Sequence, residues 1–119
     1  KLVNFIQNSK EQFTLIHTQL SNNLDIVNLK AISMLQKKFA MPIAFGNHAS
    51  NTNVLYVSLG YEPSDLLFYI KGNKKDHPDD PHAIKLVNLS EVIKNLRELP
   101  VSIGKEVKIK IENEIVKEK

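Results

Sequence analysis

Two histidines, His17 and His48, are the residues of this 119-residue chain best placed to do chemistry. Each ends an apolar, β-branched run: Phe13-Thr14-Leu15-Ile16-His17 in one case, Met41-Pro42-Ile43-Ala44-Phe45-Gly46-Asn47-His48 in the other. Imidazole titrates near neutrality and is the commonest protein ligand for transition metals. Neighbouring strands lie about 4.8 Å apart, so two imidazoles at one height can share a cation through bonds of about 2.0–2.3 Å. Gly46 leaves room beside His48. The competing role, which spacing alone favours, is that each ring closes its strand end by bonding to backbone.

A second group is His77-Pro78-Asp79-Asp80-Pro81-His82, with two imidazoles and two carboxylates, enough on paper for a metal. Its two prolines stiffen the segment, which reads as an exposed, solvated loop. Ser21-Asn22-Asn23 and Gly46-Asn47 are polar turns ahead of helical stretches, where backbone N–H groups bind phosphate or carboxylate. Ser21 and Asn47 are therefore candidates for substrate contact, although plain loops leading into helices explain them as well. Tyr56, Tyr61 and Tyr69 lack the spacing of a stacking platform. No Walker, dinucleotide or nucleophile-elbow motif occurs.

The elements that must position these residues repeat the order strand, loop, helix. Strands are expected over 13–17, 41–45 and 66–70, the last an unbroken apolar run as in a strand covered on both faces. Helices are expected over 25–38, with Asp25 as N-cap, over 51–59, stopped by Gly60, and over 89–99, ended by Pro100. Residues 71–82 read as a loop. Val107, Ile109 and Ile111 alternate with charged residues, so 105–119 reads as an extended tail or linker strand. Strands alternating with helices imply a parallel sheet with right-handed crossovers. The fold class is α/β, a partial (β/α) TIM-barrel-like unit of about three repeats, since a closed barrel needs roughly 200–250 residues.

Composition narrows the function classes. With 42% hydrophobic and 24% charged residues the chain has the profile of one ordinary globular domain. Cysteine is absent, which excludes disulfides, thiolate zinc sites and a cysteine nucleophile and is compatible with a cytoplasmic location. No run of about 18 apolar residues suggests a membrane span, and no signal-peptide pattern opens the chain. The net charge is +3, Arg97 is the sole arginine and the lysines interleave with acids, unlike a nucleic-acid-binding face. The chain begins without methionine, inside an amphipathic helical stretch, and so reads as a processed chain or a fragment of something longer.

Several short stretches, in order, resemble the sialic acid synthase family. Leu15-Ile16-His17 is similar to the family's Leu-His-Cys strand end, and Val27-Asn28-Leu29-Lys30-Ala31-Ile32 to its Val-Asn-Leu-Lys-Ala helix start. Met41 to His48 resembles Pro-Val-Gly-Tyr-Ser-Asp-His, Val57-Ser58-Leu59-Gly60 resembles Ala-Leu-Gly-Ala, and the Pro-Asp loop before the last helix resembles Gly-Pro-Asp-His. The resemblance covers residues 1–104, as the C-terminal part of the family's barrel.

It implies an enzyme condensing phosphoenolpyruvate with an N-acylated amino sugar of the N-acetylmannosamine type. A divalent cation, manganese or magnesium, would act as Lewis acid, held by the pair that maps onto His17 and His48. The sequence departs from the family at Asn47, where the family has Asp, and at Phe68, Tyr69 and Ile70, where it has polar groups. The loop after the first strand is also shorter. The expected partners are the two substrates, with a second copy or the rest of the barrel completing the fold; the isolated chain should be inactive. The alternative is a non-catalytic relative that binds a sugar or protein, or self-associates.

Overall fold

The computed structural model describes residues 1–9, 12–73 and 78–112. Short parallel strands and helices alternate, as expected of an α/β chain. The elements are α1 (Leu2–Asn8), β1 (Leu15–Thr18), α2 (Lys30–Phe39), β2 (Ile43–Gly46), α3 (Val54–Ser58), β3 (Leu66–Leu67), β4 (Ile70–Lys71), β5 (Ile84–Lys85) and α4 (Leu89–Glu98). One sheet has the order β1-β2-β3, all parallel, and a second pairs β4 with β5, also parallel. Because β3 and β4 belong to one run of chain, the two sheets make four adjacent lanes. The outer edges of β1 and β5 have no strand partner among the described residues, so no barrel closes.

Alternation along the strands divides the sheet into two faces. Leu15, Ile43, Phe45 and Leu66 face the helices and pack with Val27, Ile32, Leu35, Val54, Leu55 and Leu96 in one core; Ile32, Ile43 and Leu55 are fully buried. The opposite face carries Ile16 and Leu67, which remain 45% and 44% exposed. The chain as a whole presents 9419 Å² of surface, against about 6,500 Å² for a compact monomer of its mass. Apolar area on the open sheet face and on Leu2 and Phe5 of α1 contributes to that excess. No helix among the described residues is long and apolar enough to cross a membrane.

Several expected boundaries move, each for a local reason. The expected helix over 25–38 divides: a 3-10 turn spans Leu24–Ile26, and α2 starts only at Lys30. Asn28 lies between them at φ 50, a left-handed conformation that asparagine tolerates, so Asp25 is not a helix cap. The helix over 51–59 shortens to α3 and continues as a 3-10 turn, Leu59–Tyr61, in which Gly60 is internal. The left-handed residue that ends this turn is Glu62, not a glycine. Pro100 opens a 3-10 turn, Leu99–Ile103, rather than ending the helical path. The segment 71–82 is not all loop, because Lys71 belongs to β4. Val107, Ile109 and Ile111 are exposed and form no paired strand.

Candidate functional site

The C-terminal ends of parallel strands are where α/β folds place their ligands. Here that rim holds a hollow of about 350 Å³ lined by Ile16, Thr18, Gly46, Asn47, His48, Leu67, Phe68 and Tyr69. Among the described residues no Lys, Arg, Asp or Glu side chain lines it. Gly46 keeps it open: a Cβ there would lie 3.3 Å from the Thr18 side chain. A polar cleft of about 570 Å³ lies elsewhere, between α3, α4 and the turn before β5, with Asn53, Asn88, Glu91 and Asn95 on its walls.

His17 does not reach the hollow. It shares the helix-facing side of the sheet with Phe45, its register partner, and stacks on that ring at 6.2 Å. Its Nε2 lies 2.8 Å from the Val27 carbonyl in a buried hydrogen bond. The left-handed turn at Asn28 exposes that carbonyl, because the chain leaves the 3-10 path before α2 begins. His48 lies past the end of β2 on the opposite side and lines the hollow. The structure therefore places the two histidines in different surroundings: one ring is committed to backbone and the other is not. A manganese or magnesium ion shared by His17 and His48 does not fit this arrangement. Among the described residues no three His, Asp or Glu side chains gather around one point.

Asn47 is 1% exposed and holds its own loop: its amide donates to the Ala49 carbonyl at 3.2 Å and its oxygen accepts from the Ala49 N–H at 3.1 Å. Ser21 Oγ accepts from the Asn23 N–H at 3.2 Å. Both side chains thus serve local turns, and the loop carrying Ser21 is tied across by Ser50, whose N–H and hydroxyl both donate to the Asn22 carbonyl.

His48 meets Tyr69 and His82 instead. The ring centroids are 5.3 Å apart for His48 and Tyr69, 4.7 Å for His48 and His82, and 4.9 Å for Tyr69 and His82. Tyr69 shares the hollow-facing side with Leu67, while Leu66 and Phe68 pack on the core. The Leu67 carbonyl accepts from the Asn47 N–H on the β2 side, while the Tyr69 carbonyl, two residues on, accepts from the Ile84 N–H on the β5 side. In a regular strand those two carbonyls point the same way, so the backbone rotates between them as at a bulge.

His82 corrects the reading of its segment as solvated. It is 7% exposed, drawn inward by a tight turn in which the His82 and Ala83 N–H groups both donate to the Asp79 carbonyl. Asp80 pairs with Lys71 at 2.6 Å, anchoring the turn to β4. His77, the other imidazole of that segment, lies outside the described residues. Among the described residues neither ring nitrogen of His82 has a hydrogen-bond partner, an unusual state for a buried polar group. Asp79 Oδ1 lies 3.7 Å from its Nε2, beyond hydrogen-bond length. Burial, and then the neighbouring His48, push the His82 pKa below its ordinary value, while Asp79 pulls the other way. The sequence did hold one sign of this: Ala83-Ile84 follows His82 directly, an apolar step that leads the chain back into the core.

Compared with known proteins, the chain matches no family model and no curated protein sequence.

Proposed function

We propose that this chain is a segment, or a divergent relative, of a sialic acid synthase-like β/α barrel, and that it supplies a neutral sugar-binding wall. In the complete barrel the reaction would join phosphoenolpyruvate to an N-acylated amino sugar. The observation that carries this reading is the uncharged hollow of about 350 Å³ at the C-terminal ends of the parallel strands. Its size lies in the range of small-molecule sites. Its lining suits a neutral ligand: the Thr18 hydroxyl and His48 imidazole offer hydrogen bonds, and Tyr69 offers a ring face.

Phosphoenolpyruvate carries a phosphate and a carboxylate, which cationic side chains stabilise. None lines this hollow among the described residues, so the chain alone should bind the sugar and leave phosphoenolpyruvate uncondensed. No role for manganese or magnesium enters this reading, because His17 is held by Val27. Titration of N-acetylmannosamine followed by NMR is the test. Saturable shifts at Thr18, His48 and Tyr69 support the reading. Shifts confined to other residues, none at all, or condensation by the chain alone would overturn it.

The open sheet face favours a second reading, a non-catalytic relative that associates with itself or a protein. Ile16, Leu67 and Tyr69 are each 40–45% exposed. Sedimentation as a monomer at high concentration would remove the self-associating form of this reading.

A further inference from the structure

The resemblance pairs His48 with His17, but in this structure the imidazole beside His48 is His82. We propose that His48 and His82 form a two-imidazole site for a late first-row divalent ion of the zinc type, a proposal that does not rest on the sugar reading above although His48 is common to both. Three observations support it.

The first is distance. A ring centroid sits about 3.2 Å from an ion bound at 2.0–2.1 Å, so two imidazoles sharing an ion at about 90–110° have centroids about 4.5–5.2 Å apart. His48 and His82 are 4.7 Å apart and tilted by 39°.

The second is the state of His82. It is more than nine-tenths buried and, among the described residues, neither of its nitrogens has a partner. An ion on one nitrogen gives that atom a partner.

The third is Asp79. A ligating histidine commonly gives its second N–H to a carboxylate, which fixes its tautomer. Asp79 Oδ1, 3.7 Å from Nε2, takes that position after a shift of less than an ångström, leaving Nδ1 for the ion. Tyr69 packs edge-on against both rings and shields them. Imidazole donors select zinc, copper or nickel over the oxygen-seeking magnesium and manganese, so the ion class differs from the one the resemblance implies. Water completes the coordination.

The experiment is zinc titration by calorimetry on the full chain at pH 7.5, with His48→Ala, His82→Ala and His17→Ala beside the wild type. Expected are one zinc per chain, at least a tenfold loss of affinity in the first two variants, and wild-type affinity in the third. Circular dichroism checks that each variant folds. Should His82→Ala unfold, zinc-induced shifts of the ring protons decide the matter in wild type. Shifts at both His48 and His82 support the site. No saturable binding, retention of zinc by folded His82→Ala, or shifts at His17 without His82 would overturn it. The sugar titration contains no zinc, so the two proposals fail independently.

Discussion

Asn47→Asp restores the residue type of the family that the sequence resembles, at a position where the structure makes a definite demand. The Asn47 carboxamide is 1% exposed and grips Ala49 from both sides, donating to its carbonyl at 3.2 Å and accepting from its N–H at 3.1 Å. An ionised carboxylate keeps the second bond and strengthens it, worth about 1.5–3 kcal/mol. It loses the first, leaving the Ala49 carbonyl without its donor and facing negative charge, at about 1–3 kcal/mol. Burying the charge costs several kcal/mol more. Desolvation wins, and the net loss at pH 7 is about 2–4 kcal/mol.

The protonated acid, by contrast, can donate to the Ala49 carbonyl. The folded-state pKa of the introduced group is therefore raised above its unfolded value of about 3.9, and the folded state holds the proton more tightly. The penalty is complete above the folded pKa and disappears as pH falls towards the unfolded one. Urea unfolding of both proteins at pH 7 and pH 4 measures this. With a slope of about 2 kcal/mol/M, the variant's midpoint should fall by about 1–2 M at pH 7 and approach wild type at pH 4. Equal stability at pH 7, or a deficit that does not shrink in acid, would refute the reasoning and free this side chain to face the rim.

Three further outcomes follow from single residues. Ala40 ends α2 at φ 51, so Ala40→Gly should raise stability by about 0.5–1 kcal/mol; a lower melting temperature would contradict this. Phe45 is 1% exposed at the centre of the sheet, and Phe45→Ala should cost about 3–5 kcal/mol, read as loss of the cooperative melt. Because the His82 pKa is lowered from 6.5 in the folded chain, the unfolded state takes up the proton first as pH falls. Stability in metal-free buffer should then decline below pH 6.5, and His82→Phe should flatten that decline; an unchanged slope would show that His82 is not its source.

The strand runs that became β1 and β2 were legible because β-branched and aromatic residues cluster there between turn residues; the run 66–70, expected as one strand covered on both faces, instead divides into β3 and β4 and leaves Leu67, Tyr69 and Ile70 exposed. Helix α4 was legible too, because its Val92, Ile93 and Leu96 repeat at helical spacing. The β4–β5 pairing was not, since strands of two residues leave no period to detect. The fate of His17 was hidden for a different reason. Its partner is a backbone carbonyl, which any residue at position 27 would supply, and the turn exposing that carbonyl depends on the conformation of Asn28. The cluster of His48, Tyr69 and His82 was equally out of reach, because the backbone rotation at Phe68 that hands the lane from β2 to β5 has no signature in residue type.

That rotation also divides the chain by stability. On one side, β1 and β2 share a four-residue ladder over the main core; on the other, β4 and β5 hold each other through two residues apiece. Pairings that short belong to the segments that open first, long before global unfolding. Tyr69 and His82 ride on the weaker side and His48 on the stronger, so their contacts cross the line along which the fold breathes. Whatever grips both imidazoles staples the two sheets together. The Ile84 amide, bonded to the Tyr69 carbonyl at 2.8 Å, would then exchange its hydrogen at the pace of the whole domain instead of its loosest edge.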